Sequence, residues 1–135
     1  MIKIYVLDTN TLISAHLLPN SISRKAFNKA LEEGALVHSS ATFNEFVEVF
    51  TRPKFDKYVS TNIRLNAVKL LERSSQLVDV SIKVNDCRDP KDNKFLELAL
   101  TVKSNCIITG DKDLLVLHPF QEISILTAAE FLVAK

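Results

Sequence analysis

The sequence predicts an α/β fold with a mostly parallel central sheet. Short runs of β-branched and other apolar residues alternate along the chain with segments in which apolar residues recur every three or four positions. This alternation of strands and helices is typical of a parallel sheet covered by helices. The chain has 135 residues, which suffice for one domain over residues 1–135 but not for two domains with separate cores.

The composition excludes several classes of protein. Hydrophobic residues make up 47% and charged residues 24%, as in soluble globular folds, and 2 Gly and 4 Pro are too few for a collagenous or disordered chain. The net charge of +1 does not indicate a strongly basic nucleic-acid binder. We find no apolar run of about 20 residues and no secretory signal pattern. Cys87 and Cys106 lack the spacing of a zinc site or a disulfide scaffold. We therefore expect a cytoplasmic protein with no membrane partner.

The N-terminal half is predicted to open on a buried strand. Residues 2–7 are rich in β-branched side chains, and residues 11–18 form a short helix that ends before Pro19. A second helix begins at Ser21 or Ser23 and ends at Glu33, where Gly34 can stop it. The further predicted elements are a strand at 35–38, a helix from Ser39 or Ser40 to Thr51, a helical turn at 53–58, and a helix at 60–74 with Ile63, Ala67, Leu70 and Leu71 on one face.

The C-terminal half is predicted to continue the alternation of strands and helices. The predicted elements are a weak strand at 77–80, a helix at 90–104 with Asp89 as its N-cap, a central strand at 106–108, a strand at 123–126 and a helix at 127–134. In open parallel sheets, ligands bind beyond the carboxyl ends of the strands. Candidate residues for chemistry are therefore sought at those ends.

Two aspartates lie close behind predicted strands. Asp8 comes directly after the first strand, and Asp111 closely follows the strand at 106–108. If these strands are neighbours, both carboxylates lie at the same edge of the sheet. Each aspartate could instead serve only as a helix cap, as Asp8 would for the helix that starts near Thr11. The residues leave both roles open.

Asp92 is the third candidate. It lies in the first turn of a predicted helix, where an acid can complete a capping box or interact with the helix dipole. Its spacing also places it on the apolar stripe of Phe95, Leu96 and Ala99. Burial of an ionised carboxylate is unfavourable unless a cation or hydrogen-bond donors compensate. The neighbours expected to face elsewhere, as ordinary surface residues, are Asp89, Asn93 and Glu97.

A shared pocket for these acids would favour a divalent metal. Carboxylates that are brought together repel one another, and a divalent cation removes that repulsion. Oxygen ligands suit Mg²⁺ or Mn²⁺ better than zinc. A metal held by carboxylates can bind a phosphate, orient water and stabilise a leaving oxygen. The acids thus suggest metal-assisted hydrolysis of phosphodiester bonds.

Four segments resemble motifs of the PIN-domain nucleases. VLDTNTLI (residues 6–13) resembles the opening motif of that family, and TGDKDLL (residues 109–115) resembles its late motif. ATFNEF (residues 41–46) resembles the internal helix that carries a glutamate, and Asp92 stands before an apolar helix as in the family. In this order the motifs span almost the whole chain, and they are most similar to those of VapC-like toxins from bacterial and archaeal toxin–antitoxin pairs.

The resemblance implies a three-layer α/β/α fold and a specific set of site residues. The implied metal ligands are Asp8, Glu45, Asp92 and Asp111, with Asp113 as an extra or substitute ligand and Asn10 and Thr109 as hydrogen-bonding neighbours. The implied activity is endonucleolytic cleavage of RNA that depends on Mg²⁺ or Mn²⁺. The implied partners are a cognate antitoxin and a second copy of the chain. The apolar face of the helix at 60–74 could belong to the core or to the surface that binds this second copy, and the sequence leaves both open.

Periodicity alone favours a different role for Glu45. Phe43, Phe46 and Phe50 form the apolar stripe of its helix, and Glu45 lies off that stripe, as a residue on a solvated face would. An acid directed toward a shared cleft would satisfy both interpretations.

Positive charge concentrates in the middle third of the chain. The residues concerned are Arg52, Lys54, Lys57, Arg64, Lys69 and Arg73. Solvated helix faces would explain them, and so would a surface that binds the RNA backbone beside the acids. Arg52 and Lys54 are the candidates for such a rim.

Two other functions remain open from the sequence. Asp8 loosely resembles the aspartyl nucleophile of phosphatases and phosphotransferases, although Asn10 stands where that chemistry needs a second acid. The chain could also be a PIN-like binding module without catalytic activity, which would bind no divalent metal.

Overall fold

The computed structural model describes residues 2–134 and contains a five-stranded, entirely parallel sheet. The strands are β1 (Lys3–Leu7), β2 (Gly34–His38), β3 (Ser75–Leu77), β4 (Cys106–Ile108) and β5 (Ser124–Leu126). Their spatial order is β3-β2-β1-β4-β5. β1 therefore lies at the centre of the sheet, with β2 on one side and β4 on the other.

Helices connect the strands. They are α1 (Thr9–Leu17), α2 (Ile22–Glu33), α3 (Ser40–Phe50), α4 (Thr61–Ser74), α5 (Asn93–Val102), α6 (Lys112–Leu115) and α7 (Ala128–Val133), with single 3₁₀ turns at Pro53–Phe55 and Pro90–Asp92. The structure confirms the predicted helices and strands, with bounds shifted by a few residues. The short helix α6 was not among the predicted elements. None of the helices in residues 2–134 has the length and apolar character that crossing a membrane requires.

Two hydrophobic cores lie on opposite faces of the sheet. Along β1, Tyr5 and Leu7 point into one core and Val6 into the other, as the alternation of side chains in a strand requires. The first core receives α1, α2, α3, α4 and α7, and the second receives α5, α6 and the segment before α5. This is the predicted three-layer α/β/α arrangement, which is thereby confirmed.

Serine caps explain where several helices begin, and the cap predicted at Ser39 or Ser40 is confirmed at Ser39. The side chains of Ser21, Ser39 and Ser60 accept hydrogen bonds from backbone N–H groups at the starts of α2, α3 and α4. Gly34 ends α2 and also begins β2, where a Cβ atom would lie 2.2 Å from the carbonyl oxygen of Lys3. The close pairing of β1 with β2 therefore requires glycine at this position.

The predicted apolar face of α4 is buried only in part, because Ala67 and Leu71 pack into the first core and the rest of the face does not. Ile63 and Leu70 are each 60% exposed, whereas Arg64 is fully buried and Leu71 is buried. The guanidinium of Arg64 donates to the carbonyl oxygens of Phe50, Arg52 and Val59 and pairs with Asp56. Because these partners satisfy the guanidinium, a charged residue lies beside Leu71 on the side of α4 that faces the core.

The strand order places a crevice at the carboxyl ends of β1 and β4. The chain runs outward from β1 toward β3 on one side and continues from β4 toward β5 on the other. In doubly wound sheets, the point where the strand order reverses leaves a crevice in which ligands bind. The residues that follow β1 and β4 are therefore the first to consider for a functional site.

Candidate active site

Asp8 and Asp111 lie at the same edge of the sheet. Leu7 at the end of β1 pairs with Ile108 at the end of β4, and the backbone N–H of Asp8 donates to the carbonyl of Ile108. A cleft of about 460 Å³ opens at this edge. Its lining comprises Asp8, Thr9, Asn10, Glu45, Glu48, Val49, Arg52, Lys54, Asp89, Lys91, Asp92, Phe95 and Asp111. All four predicted acids therefore line one cleft, together with Asn10.

Asp8 is both a helix cap and a cleft residue. Its Oδ1 accepts a hydrogen bond from the N–H of Thr11 at 3.0 Å, and its Oδ2 accepts one from Thr109 Oγ1 at 2.5 Å. Burial raises the pKa of Asp8, the bonds from Thr109 and Thr11 oppose this rise, and the charge of Asp111 adds to it. The two roles that the sequence left open are thus compatible.

Thr109 links the two aspartates that follow the strands. It is fully buried, and its hydroxyl donates to Asp8 while accepting a hydrogen bond from the N–H of Asp111 at 2.9 Å. This is the hydrogen-bonding position that the resemblance implied for Thr109. The residue fixes the orientation of Asp8 and the course of the backbone at Asp111.

Asp111 caps the short helix α6. Its Oδ1 accepts a hydrogen bond from the N–H of Asp113 at 2.8 Å. Asp113 is not among the residues that line the cleft, so its expected role as an extra ligand gains no support from its position. Within residues 2–134, the aspartate cluster at this edge therefore consists of Asp8, Asp92 and Asp111, with Asp89 beside them.

Asp92 stands apart from the other two aspartates in its hydrogen bonding. It occupies the N-cap position of α5, yet its side chain makes no cap hydrogen bond. Of the buried side-chain nitrogen and oxygen atoms in residues 2–134, Asp92 Oδ2 alone lacks a hydrogen-bond partner. Burial, the adjacent carboxylate of Asp111, and the charges of Asp89 and Asp8 raise the pKa of Asp92 to about 7.

Glu45 points from α3 into the cleft. The hydroxyl of Thr9 donates to its Oε1, and the ammonium of Lys94 lies 2.8 Å from its Oε2. Glu45 is therefore off the apolar stripe, as periodicity predicted, and also at the cleft, as the resemblance implied. Neither signal revealed that Lys94 of α5 is its partner.

The residues at this edge fit a divalent cation in their chemistry. Three aspartates converge, and the unpartnered oxygen of Asp92 is the kind of atom that a cation would satisfy. In the conformation described for residues 2–134, no three Asp, Glu, His or Cys side chains already form a complete cage for an ion. Ion binding would therefore involve adjustment of the carboxylates.

Basic residues lie on the rim of the cleft. Arg52 and Lys54 belong to its lining, and Arg52 also pairs with Glu48 at 3.2 Å. Arg64, which the sequence grouped with them, is fully buried and cannot contact a nucleic acid. Its hydrogen bond to the carbonyl of Arg52 instead supports the backbone of the rim.

Two residues predicted to be ordinary surface residues are not. Asn93 is buried, and its Oδ1 accepts a hydrogen bond from the N–H of Cys87 at 2.9 Å. Glu97 Oε2 accepts one from the N–H of Val84 at 3.0 Å. These contacts hold the irregular segment before α5 against the helix that carries Asp92. Sequence periodicity misses them because their partners are backbone groups of a loop.

Comparisons with known proteins agree with this architecture. The chain is 36% identical over 115 residues to the uncharacterized protein MJ1680 of Methanocaldococcus jannaschii, an alignment that covers 84% of this chain and 74% of that protein. The structure of VapBC2 from Rickettsia felis bound to a DNA fragment from their promoter has a similar fold, with a TM-score of 0.55 and 13% identity. That match covers 91% of this chain and 96% of the other. The model of the PIN domain matches residues 4–113, and the chain therefore belongs to the PIN-domain family of nucleases.

Proposed function

We propose that the protein is an endoribonuclease that uses Mg²⁺ or Mn²⁺ to hydrolyse phosphodiester bonds of RNA. The observation that carries this proposal is the buried, unpartnered Oδ2 of Asp92 in a cleft that it shares with Asp8 and Asp111. A carboxylate without a partner is unfavourable in a purely structural cluster. It is expected in a site that binds a cation.

The proposal assigns roles to the three aspartates of the cleft and to their polar neighbours. Asp8, Asp92 and Asp111 bind the cation, and Thr109 holds Asp8 in its orientation through their hydrogen bond. When bound, the divalent ion supplies charge stabilisation at the phosphate and activates water. Exposed Asn10 offers an amide at the cleft for a hydrogen bond to RNA.

The rim supports a nucleic acid as the substrate. An acidic centre by itself repels phosphate, so it requires neighbouring cations for the substrate to approach. Arg52, Lys54 and Lys91 line the cleft beside the acids. They give the cleft positive charge at its edge and negative charge at its centre, as a metal-dependent nuclease requires.

We further propose that the chain is the toxin of a type II toxin–antitoxin pair. The similarity in fold to the VapBC2 complex supports an antitoxin as its partner. Exposed Ile63 and Leu70 on α4 offer an apolar surface that a protein partner or a second copy of the chain could cover. Sedimentation of the purified chain tests the homodimer, which would sediment at twice the mass of the monomer.

A cleavage assay on total RNA tests the enzymatic proposal. We expect cleavage with Mg²⁺ or Mn²⁺ and none with EDTA. Asp8→Asn and Asp92→Asn should each reduce the rate by about a hundredfold or more, a loss of about 3 kcal/mol in transition-state stabilisation. Both variants should keep the circular dichroism spectrum of the parent.

The matched control is Asp86→Asn, which changes an exposed aspartate outside the cleft. It should cleave at the rate of the parent. Cleavage that persists in EDTA or in Asp8→Asn would contradict the proposal. A folded parent that neither cleaves RNA nor binds Mn²⁺ would identify the chain as a non-catalytic PIN-like binding module.

A further inference from the structure

Lys94 joins the two walls of the cleft. It lies in the first turn of α5, two residues beyond Asp92, and its side chain is 18% exposed. Its ammonium is 2.8 Å from Glu45 Oε2 on α3 and also donates to the carbonyl of Lys91. The ammonium also lies over the ring of Phe95, 5.3 Å from its centroid. Lys94 is therefore a largely buried cation in a fixed position.

Glu45 is paired with a charged group, whereas Asp8 is bonded only to neutral groups. Both oxygens of Asp8 accept hydrogen bonds from neutral groups, the N–H of Thr11 and the hydroxyl of Thr109. These bonds leave the negative charge of Asp8 available to a cation, because each oxygen retains a lone pair. Glu45, in contrast, already has a full positive charge at its Oε2.

A divalent ion and Lys94 would compete for the carboxylate of Glu45. Two cations on one carboxylate repel each other strongly in a partly buried site. Lys94 has few alternative positions, because its ammonium is also bonded to the carbonyl of Lys91. The oxygen without any partner belongs to Asp92 and not to Glu45.

We propose that Lys94 is a positioning residue that holds Glu45 as its counter-charge and keeps it from binding the divalent ion directly. This inference rests on the metal-dependent function proposed above and divides the four acids into two classes. Asp8, Asp92 and Asp111 bind the ion. Glu45 remains a fixed hydrogen-bond acceptor at the wall of the cleft, held by Lys94 and Thr9.

A double-mutant cycle with Mn²⁺ as the ligand tests this division. The variants are Lys94→Met, Glu45→Gln and the pair together, and Mn²⁺ affinity is measured by calorimetry and by electron paramagnetic resonance without RNA. The double variant keeps the net charge of the pair at zero, so its dissociation constant should lie within about threefold of that of the parent if Glu45 is not a ligand, whereas Glu45→Gln alone leaves Lys94 without its counter-charge and should weaken binding. Lys94→Met should tighten Mn²⁺ binding by about tenfold, because it releases a further carboxylate ligand.

The double variant isolates the coupling between the two residues. If Lys94 acts through Glu45, the tighter binding of Lys94→Met should disappear when Glu45→Gln is added. Lys94→Arg should restore the affinity of the parent because it keeps the positive charge. Lys91→Met is the matched control, since it removes an exposed positive charge from the same cleft and should tighten binding by no more than about twofold.

Three outcomes would overturn the proposal. One is a Lys94→Met variant that binds Mn²⁺ no more tightly than the control. Another is a double variant that still binds Mn²⁺ as tightly as Lys94→Met does. The third is a double variant that loses most of the Mn²⁺ affinity of the parent, since Glu45 would then be a ligand despite Lys94. In each of these cases metal-dependent cleavage by the parent can persist, whereas a parent that binds no Mn²⁺ would overturn the proposed function as well.

Discussion

At the scale of single residues, the three aspartates differ in what holds them. Asp8 and Asp111 each give an oxygen to the start of a helix, and Asp8 has a further bond from Thr109. Asp92 stands at the N-cap position of α5, but its side chain makes no capping hydrogen bond to that helix. Its burial beside Asp111 therefore opposes folding unless a proton or a cation neutralises it. A residue that is unfavourable for stability and suited to cation binding is typical of a functional site.

Asp92→Asn should stabilise the protein in EDTA. An amide removes the charge repulsion from Asp111 and Asp8, and we expect the melting temperature to rise by about 3–6 °C, or about 1 kcal/mol for a chain of this size. The pKa of Asp92 is raised to about 7, so the native state keeps its proton at about pH 5 and loses it at about pH 8. The gain from the substitution should therefore be larger at about pH 8.

Thermal unfolding with and without Mn²⁺ measures this effect. Mn²⁺ should raise the melting temperature of the parent and leave that of Asp92→Asn nearly unchanged. Asp86→Asn is the control, because it removes a carboxylate charge at an exposed position outside the cleft. A melting temperature of Asp92→Asn at or below that of the parent at about pH 8 would show that Asp92 is not under charge repulsion.

At the scale of elements, α5 both carries the site and fixes the segment that precedes it. Asn93 and Glu97 accept hydrogen bonds from the N–H groups of Cys87 and Val84. The segment buries Val84 and Cys87 in the second core. The position of Asp92 thus depends on a loop that is bonded to the first two turns of its own helix.

Asn93→Ala should loosen this segment. The substitution leaves the N–H of Cys87 without its acceptor, which is expected to destabilise the fold by about 1–3 kcal/mol. We expect faster tryptic cleavage after Lys83 and Arg88 and a lower urea midpoint. Asn85→Ala, at an exposed position, should change neither. Equal cleavage rates in Asn93→Ala and the parent would show that the bond does not hold the segment.

The sequence predicted those elements whose pattern depends on local rules. β-branched runs, capping chemistry and strand ends predicted the strands β1 and β4, the serine cap of α3 and Asp8 after β1. The burial of Arg64 on α4 was not predicted, because its guanidinium is satisfied by carbonyls of Phe50 and Arg52, which lie outside its own helix. Lys94 as the partner of Glu45 was missed for the same reason, since the pairing joins two different helices.

At the scale of the whole molecule, the topology brings separate parts of the chain into one cleft. Asp8 and Asp111 are about a hundred residues apart in sequence, and the pairing of β1 with β4 places both at one sheet edge. α3 adds Glu45 and α5 adds Asp92. The overall charge is only +1, so any attraction for RNA must come from the local arrangement of basic residues around the acids.

Reversal of charge at the rim should weaken RNA binding and its salt dependence. The variant Arg52→Glu with Lys54→Glu removes two potential phosphate contacts, which should lower the slope of log affinity against log salt by about 1.4. RNA binding is measured between about 50 and about 200 mM KCl, in the Asp8→Asn background, which should suppress cleavage during the measurement. Lys57→Glu with Lys69→Glu, at exposed positions outside the cleft lining, is the control. An unchanged slope in the rim variant would exclude Arg52 and Lys54 from RNA binding.

The central claim is that Asp8, Asp92 and Asp111 bind one divalent ion at the crevice between β1 and β4. Anomalous X-ray diffraction at the manganese edge, from crystals grown with MnCl₂, tests it most directly. We predict an anomalous peak in contact with carboxylate oxygens of all three aspartates, including Asp92 Oδ2, and absent from crystals of Asp92→Asn. Fully occupied Mn²⁺ elsewhere on the protein, with no peak among these three carboxylates, would contradict the account.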